Sequence, residues 1–147
     1  MKILMYTRDT VGIKAIADDL TNAFRNLGFE VECSDRIDYK NFDIVHFHID
    51  YSQFHPWGLG LLPILLRMRM NKKKTVVTIG TILRKNQTYA RNKVFALIKN
   101  VILSISNPLI SLFSDKITVM VGEMKETLVK DYHLNEKKIE VIPHGVY

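Results

Sequence analysis

His46 and His48 alternate along one apolar segment, Phe42-Asp43-Ile44-Val45-His46-Phe47-His48, with Asp50 and His55 just beyond. Side chains two apart on a strand project to the same side. These four residues are therefore a set from which a metal site can be drawn. Packed, hydrogen-bonded imidazoles at a strand end are the commoner use of such a pair, and no metal is expected. A second candidate is Gly12, which closes Thr7-Arg8-Asp9-Thr10-Val11-Gly12 ahead of a helical pattern. A glycine there lets backbone N–H groups approach a phosphate, or simply makes a tight turn, and the residues leave both open. The dinucleotide fingerprint needs three glycines and one is present, which disfavours a dinucleotide site. A third candidate is the stretch Gly80–Lys93, with Arg84, Lys85, Arg91 and Lys93 and no carboxylate. It is either a solvated basic loop or a contact for an anionic substrate group. No Ser-His-Asp order and no Walker glycine-lysine motif is present.

These residues need a scaffold, and the hydropathy pattern supplies one. Apolar or β-branched runs predict strands at Lys2–Thr7, Phe29–Cys33, Asp43–His48, Thr75–Ile79, Lys116–Val121 and Ile139–Ile142. Between them, Ile13–Leu27 has helical spacing, with Ile16, Leu20, Phe24 and Leu27 on one stripe and Gly28 as its stop. Trp57–Met70 reads as a helix opened by Pro56 and closed by Asn71-Lys72-Lys73-Lys74. Ala90–Leu112 reads as a helix broken or kinked near Asn107-Pro108, and Glu123–Tyr132 as a short one. Alternating β and α units with buried strands predict an α/β fold, a Rossmann-like doubly wound parallel sheet in a single domain. Ligands of such sheets bind beyond the carboxyl ends of the strands. That places the candidates at Arg8–Gly12, His48–His55, Gly80–Tyr89 and the turn around Gly122.

The 147 residues carry 21 Lys+Arg and 15 Asp+Glu, a net charge of +6. The charge is segregated. Tyr51–Ser114 holds ten basic residues and no acidic one, so this segment is +10 and the rest of the chain −4. A basic middle points to an anionic partner. No helix-turn-helix signature or RNA-binding aromatic motif accompanies it, and nucleic acid is not expected. Instead the basic residues are interleaved with apolar helices: Leu59–Met70 sets Arg67 and Arg69 among leucines and methionines. Such segments contact membrane surfaces, or are ordinary helices with basic ends packed on a sheet. Val94–Phe113 could imitate a membrane span. Its longest charge-free stretch, Asn100–Ser114, falls short of the ~20 residues a span needs, which predicts a buried or interfacial helix. The single cysteine, Cys33, excludes an intrachain disulfide and any cysteine-based zinc site. The opening residues are interrupted by Arg8 and Asp9 too soon for a signal peptide.

Four stretches resemble the N-terminal domain of a group 1 glycosyltransferase (glycosyltransferase family 4, GT-B fold). Val11-Gly12-Ile13, the helix after it and Gly28-Phe29-Glu30-Val31 resemble the family's glycine loop, first helix and second strand. Asp43-Ile44-Val45-His46-Phe47-His48 resembles its DIVHxH strand, and Thr75-Val76-Val77-Thr78-Ile79 its VVTxH strand. Ser114–Val119, Met124-Lys125 and Lys138–Val146 resemble its last strands and KIxVIPNGVD close. The resemblance spans essentially the whole chain.

It implies the acceptor-side half of a two-domain retaining enzyme, with a nucleotide-sugar donor bound by a C-terminal domain. No cofactor and no obligatory metal are implied. Residues 1–147 are then one domain, a truncated piece or half of a split enzyme, inactive alone. Gly12 would face donor phosphate, although Val11 stands where the family often has another glycine. Arg8, His48, Gly80, Thr81 and Arg84 would line the acceptor cleft. Gly80 takes the place of a frequent family histidine, for which His48, Thr81 or His144 would have to substitute. Arg67, Arg69, Lys72, Lys73, Lys74, Lys85, Arg91 and Lys93 would contact an anionic membrane or acceptor. The expected setting is cytoplasmic, peripheral at the inner membrane face, with a lipid-linked or phosphorylated acceptor. A stand-alone α/β partner subunit and a GT-B epimerase are the alternatives.

Overall fold

The computed structural model describes residues 1–7, 11–50, 58–81 and 92–143, and for 11–13 the backbone only. Six strands, β1 (Lys2–Tyr6), β2 (Glu30–Ser34), β3 (Ile44–Ile49), β4 (Lys74–Ile79), β5 (Lys116–Val119) and β6 (Ile139–Val141), form one sheet in the order β2-β1-β3-β4-β5-β6. Every pairing is parallel. The helices are α1 (Val11–Asn26), α2 (Leu62–Met70), α3 (Lys93–Phe113) and α4 (Gly122–Tyr132). This is the Rossmann-like α/β architecture that the alternating pattern predicts.

Alternation along the strands divides the sheet into two faces. On one, Leu4, Tyr6, Val45, Phe47, Ile49, Val77, Ile79, Ile117 and Val119 join Leu65, Met68, Leu103, Ile110 and Leu128 of α2, α3 and α4 in the main core. On the other, Ile3, Met5 and Val31 form a small cluster with Leu20 and Phe24 of α1. Among the described residues, α1 packs on that second face against β2 and β3.

Local chemistry sets the helix limits. α1 ends at Asn26 because Gly28 turns the chain left-handed at φ +87°, with its N–H on the Arg25 carbonyl at 2.9 Å. Leu27 therefore falls beyond the helix and is 71% exposed, not on the inward stripe, where Ala17 and Thr21 are buried instead. A 3-10 turn, Leu59–Leu61, precedes α2, and the regular helix opens at Leu62 with Pro63 in its first turn. The predicted start at Trp57 lies outside the described residues. α3 starts at Lys93, where the Asn92 side chain accepts from the Val94 N–H at 2.9 Å. It runs through Pro108 without the predicted break. Asn107 and Ile110 are packed on either side of that proline, which holds the helix across the missing hydrogen bond.

Candidate functional site

The strand order reverses between β1 and β3, so the crevice of this sheet opens at their carboxyl ends. α1 begins there, and Gly12 is its second residue. Gly80 and Thr81 follow β4 on the same edge. The Gly80 N–H donates to the Ile49 carbonyl at 2.9 Å and prolongs the β3–β4 ladder one residue past the end of β4. Gly122 opens α4 after β5. Because each helix follows a strand in a parallel sheet, the N-termini of α1, α3 and α4 all lie on this edge, where their dipoles favour negative charge. Arg8, Arg84, Lys85 and Arg91 lie outside the described residues, as do His55 and His144.

Beneath the edge is a buried polar row on the face that α1 covers. His48, Thr78 and Thr118 occupy matched positions on β3, β4 and β5. His46 Nε2 meets the Thr78 hydroxyl at 2.7 Å, and that hydroxyl meets Thr118 Oγ1. The His46 and His48 rings lie 4.3 Å apart, tilted by 32°. His48 is 2% exposed, so it supports the edge from below. Among the described residues no group of three or more His, Cys, Asp or Glu side chains comes together to hold a metal. The threonines were missed by sequence reasoning. Their β-branched types mark them as strand residues, and only the register puts them beside the histidines.

The basic residues separate into two groups. Lys93 is exposed at the start of α3, on the carboxyl edge. Arg67, Arg69, Lys72, Lys73 and Lys74 lie toward the amino edge, where α2 ends and β4 begins, about 20 Å away along a six-residue strand. Several of them have structural work. Arg67 stands 5.4 Å over the Tyr39 ring. Lys73 donates to the carbonyls of Lys40 and Phe42 at 3.1 and 2.8 Å. Lys74 pairs with Asp115 at 3.4 Å. α3 has no basic residue in its own last turn. Its terminal carbonyls are met instead by Arg69, on Leu112 at 2.6 Å, and by Lys138, on Ser111 and Ser114 at 2.7 and 2.9 Å. A cleft of about 500 Å³ also opens at the amino edge, lined by Lys2, Glu30, Glu32 and Asp38. Its carboxylates make it a poor seat for a phosphate.

Two ionisable groups, Cys33 near the carboxyl end of β2 and Tyr132 at the end of α4, are shifted from their ordinary values. Burial, and then Asp18, push the Cys33 thiol up, which keeps it protonated at neutral pH. Burial, with a smaller contribution from Asp131, pushes Tyr132 up to about 12.

Fold and edge together define a Rossmann-like α/β domain, a class of sheet that takes its ligands at the carboxyl ends of the strands. The sequence matches the model of Glycosyltransferase Family 4 over residues 17–147, and the chain belongs to that family. It is a domain of glycosyltransferase type. Comparison with curated proteins gave no match.

Proposed function

We propose that this domain is the acceptor-side half of a GT-B glycosyltransferase. The enzyme transfers a sugar from a nucleotide-sugar donor, with retention, to a lipid-linked or phosphorylated acceptor at the cytoplasmic membrane face. A companion C-terminal domain binds the donor, and residues 1–147 alone are inactive. The observation that carries this reading is the family match over 17–147 on a sheet whose crevice receives the start of α1. The match begins past Gly12, so a donor-phosphate role for Gly12 rests on its position in the first turn of α1. Thr81, with Arg8, Arg84, Lys85, Arg91 and Lys93, would meet the acceptor's anionic group. His48 would act from beneath, holding the floor of the cleft.

The test is a transfer assay on the full-length protein, with labelled nucleotide sugars and phosphorylated or lipid-linked acceptors. A glycosylated product that forms only when acceptor is present supports the reading. Donor epimerisation without acceptor, or binding without turnover, defeats it. Gly12→Val should lower kcat/KM for the donor by at least about tenfold, since the side chain would hold the diphosphate away from the helix N-terminus.

A further inference from the structure

α3 is inside out. On a wheel of 3.6 residues per turn, Val94, Leu97, Ile98, Val101, Ile105 and Leu112 fall on one arc of about a third of the circumference. All six are between 48% and 64% exposed. The opposite face carries Lys99, Ser106, Asn107 and Ser111, each 6% exposed or less, beside Ala96, Leu103 and Ile110. A helix covering a sheet in water ordinarily has the reverse pattern. Leu66 and Met70 are likewise exposed on α2, which packs beside α3. A contiguous patch of this kind marks an interaction site.

We propose that the outward face of α3 is a membrane-binding surface. The helix lies in the plane of the bilayer interface, its apolar arc among the upper acyl chains. This deepens the reading of an acceptor at a membrane and rests on it. Charge selects a lipid surface over a second copy of the chain. The segment 51–114 that carries the patch has basic residues and no acidic one, and of these Lys93 and Arg69 stand at the ends of the arc. Two such faces brought together would oppose like charges, whereas anionic headgroups complement them. Lys93 marks one end of the arc and Arg69, bonded to the Leu112 carbonyl, the other, so cations stand at headgroup level at both ends. α3 is long and apolar enough to cross a bilayer. Crossing would carry Lys99, Ser106, Asn107 and Ser111 out of their packed positions, which favours lying flat. In that orientation the carboxyl edge, where α3 begins, sits beside the lipid surface, within reach of a lipid-borne acceptor.

The experiment is co-sedimentation of the full-length protein with vesicles of phosphatidylcholine, with and without phosphatidylglycerol. It compares wild type with Val101→Glu/Ile105→Glu, and far-UV circular dichroism reports folding. The wild type should bind the anionic vesicles, less so as salt rises, and the variant at least about tenfold more weakly. If the double glutamate variant does not fold, Val101→Ser/Ile105→Ser is judged by the same standard. An Ile105→Trp variant should gain, over wild type, fluorescence that is quenched by lipids brominated on the acyl chain. The inference is overturned by absence of wild-type binding, or by equal binding of a folded variant. It is also overturned by a wild-type dimer that the variant converts to monomer without vesicles. A parallel transfer assay with a water-soluble acceptor analogue separates the two claims. Transfer without vesicle binding sinks only the membrane surface, and vesicle binding without transfer sinks only the catalytic reading.

Discussion

The two faces of the sheet are built from the same six strands and serve opposite ends. The face under α2, α3 and α4 is apolar from Leu4 and Tyr6 through Ile117 and Val119, with Phe47 and Val77 fully buried at its centre. The face under α1 begins apolar at Ile3, Met5 and Val31, then changes at β3 to His46 and His48 and continues through Thr78 and Thr118. Apolar area contributes most to stability and is indifferent to direction. A buried hydrogen-bonded row contributes less but fixes side-chain positions. One face therefore holds the fold, and the other sets the floor of the edge proposed for ligands.

Substitutions can break this contrast. Phe47→Ala removes a fully buried ring in contact distance of Tyr6, with centroids 5.6 Å apart, and should cost about 3–5 kcal/mol in urea denaturation. Thr78→Val keeps the shape and removes the hydroxyl between His46 and Thr118. It should cost about 1–3 kcal/mol and shift the His46 ring resonances in NMR. A loss as large as that of Phe47→Ala would mean that the polar row is also the main source of stability. Lys138→Met leaves the Ser111 and Ser114 carbonyls without their ammonium and should cost about 1 kcal/mol, read as a lower thermal midpoint. Gly80→Ala should change stability by no more than about 0.5 kcal/mol, because a Cβ there meets the Ile49 carbonyl oxygen at an ordinary 3.5 Å. Tyr132 sharpens the apolar side by pH. Its folded-state value of about 12 lies above the ordinary 10.0, so the folded state binds the proton more tightly. Stability should be unaffected below pH 10 and fall as pH rises from about 10 to 12, a decline that Tyr132→Phe should flatten.

Much of the fold was legible in the sequence. The six strands were predicted within two residues of their observed ends, because buried parallel strands are short apolar runs bounded by glycine and polar turns. Gly28 was readable as a helix stop from its type and position. Of the break or kink predicted near Asn107-Pro108, the break does not occur, because local propensity does not register the burial of Asn107 and Ile110. Of the candidate site, Gly12, Gly80 and Thr81 fall on the carboxyl edge that strand order implies. The basic residues could not be sorted from sequence. Whether a lysine is a free charge or a cap depends on which carbonyl lies within 3 Å of it, as for Lys73 and Lys138.

By itself the sequence determined the alternation of strands and helices, the parallel sheet and the confinement of ten uncompensated positive charges to one segment. Those are properties of local periodicity and composition. Tertiary structure alone decided that His46, Thr78 and Thr118 form one row, and that Arg69 and Lys138 cap a helix to which they do not belong. It also decided which way α3 is turned. A helix apolar on one arc and mixed on the other can be rotated either way about its axis. Packing against α2 and the sheet selects the rotation that buries Lys99 and Asn107 and leaves Val101 and Ile105 outside.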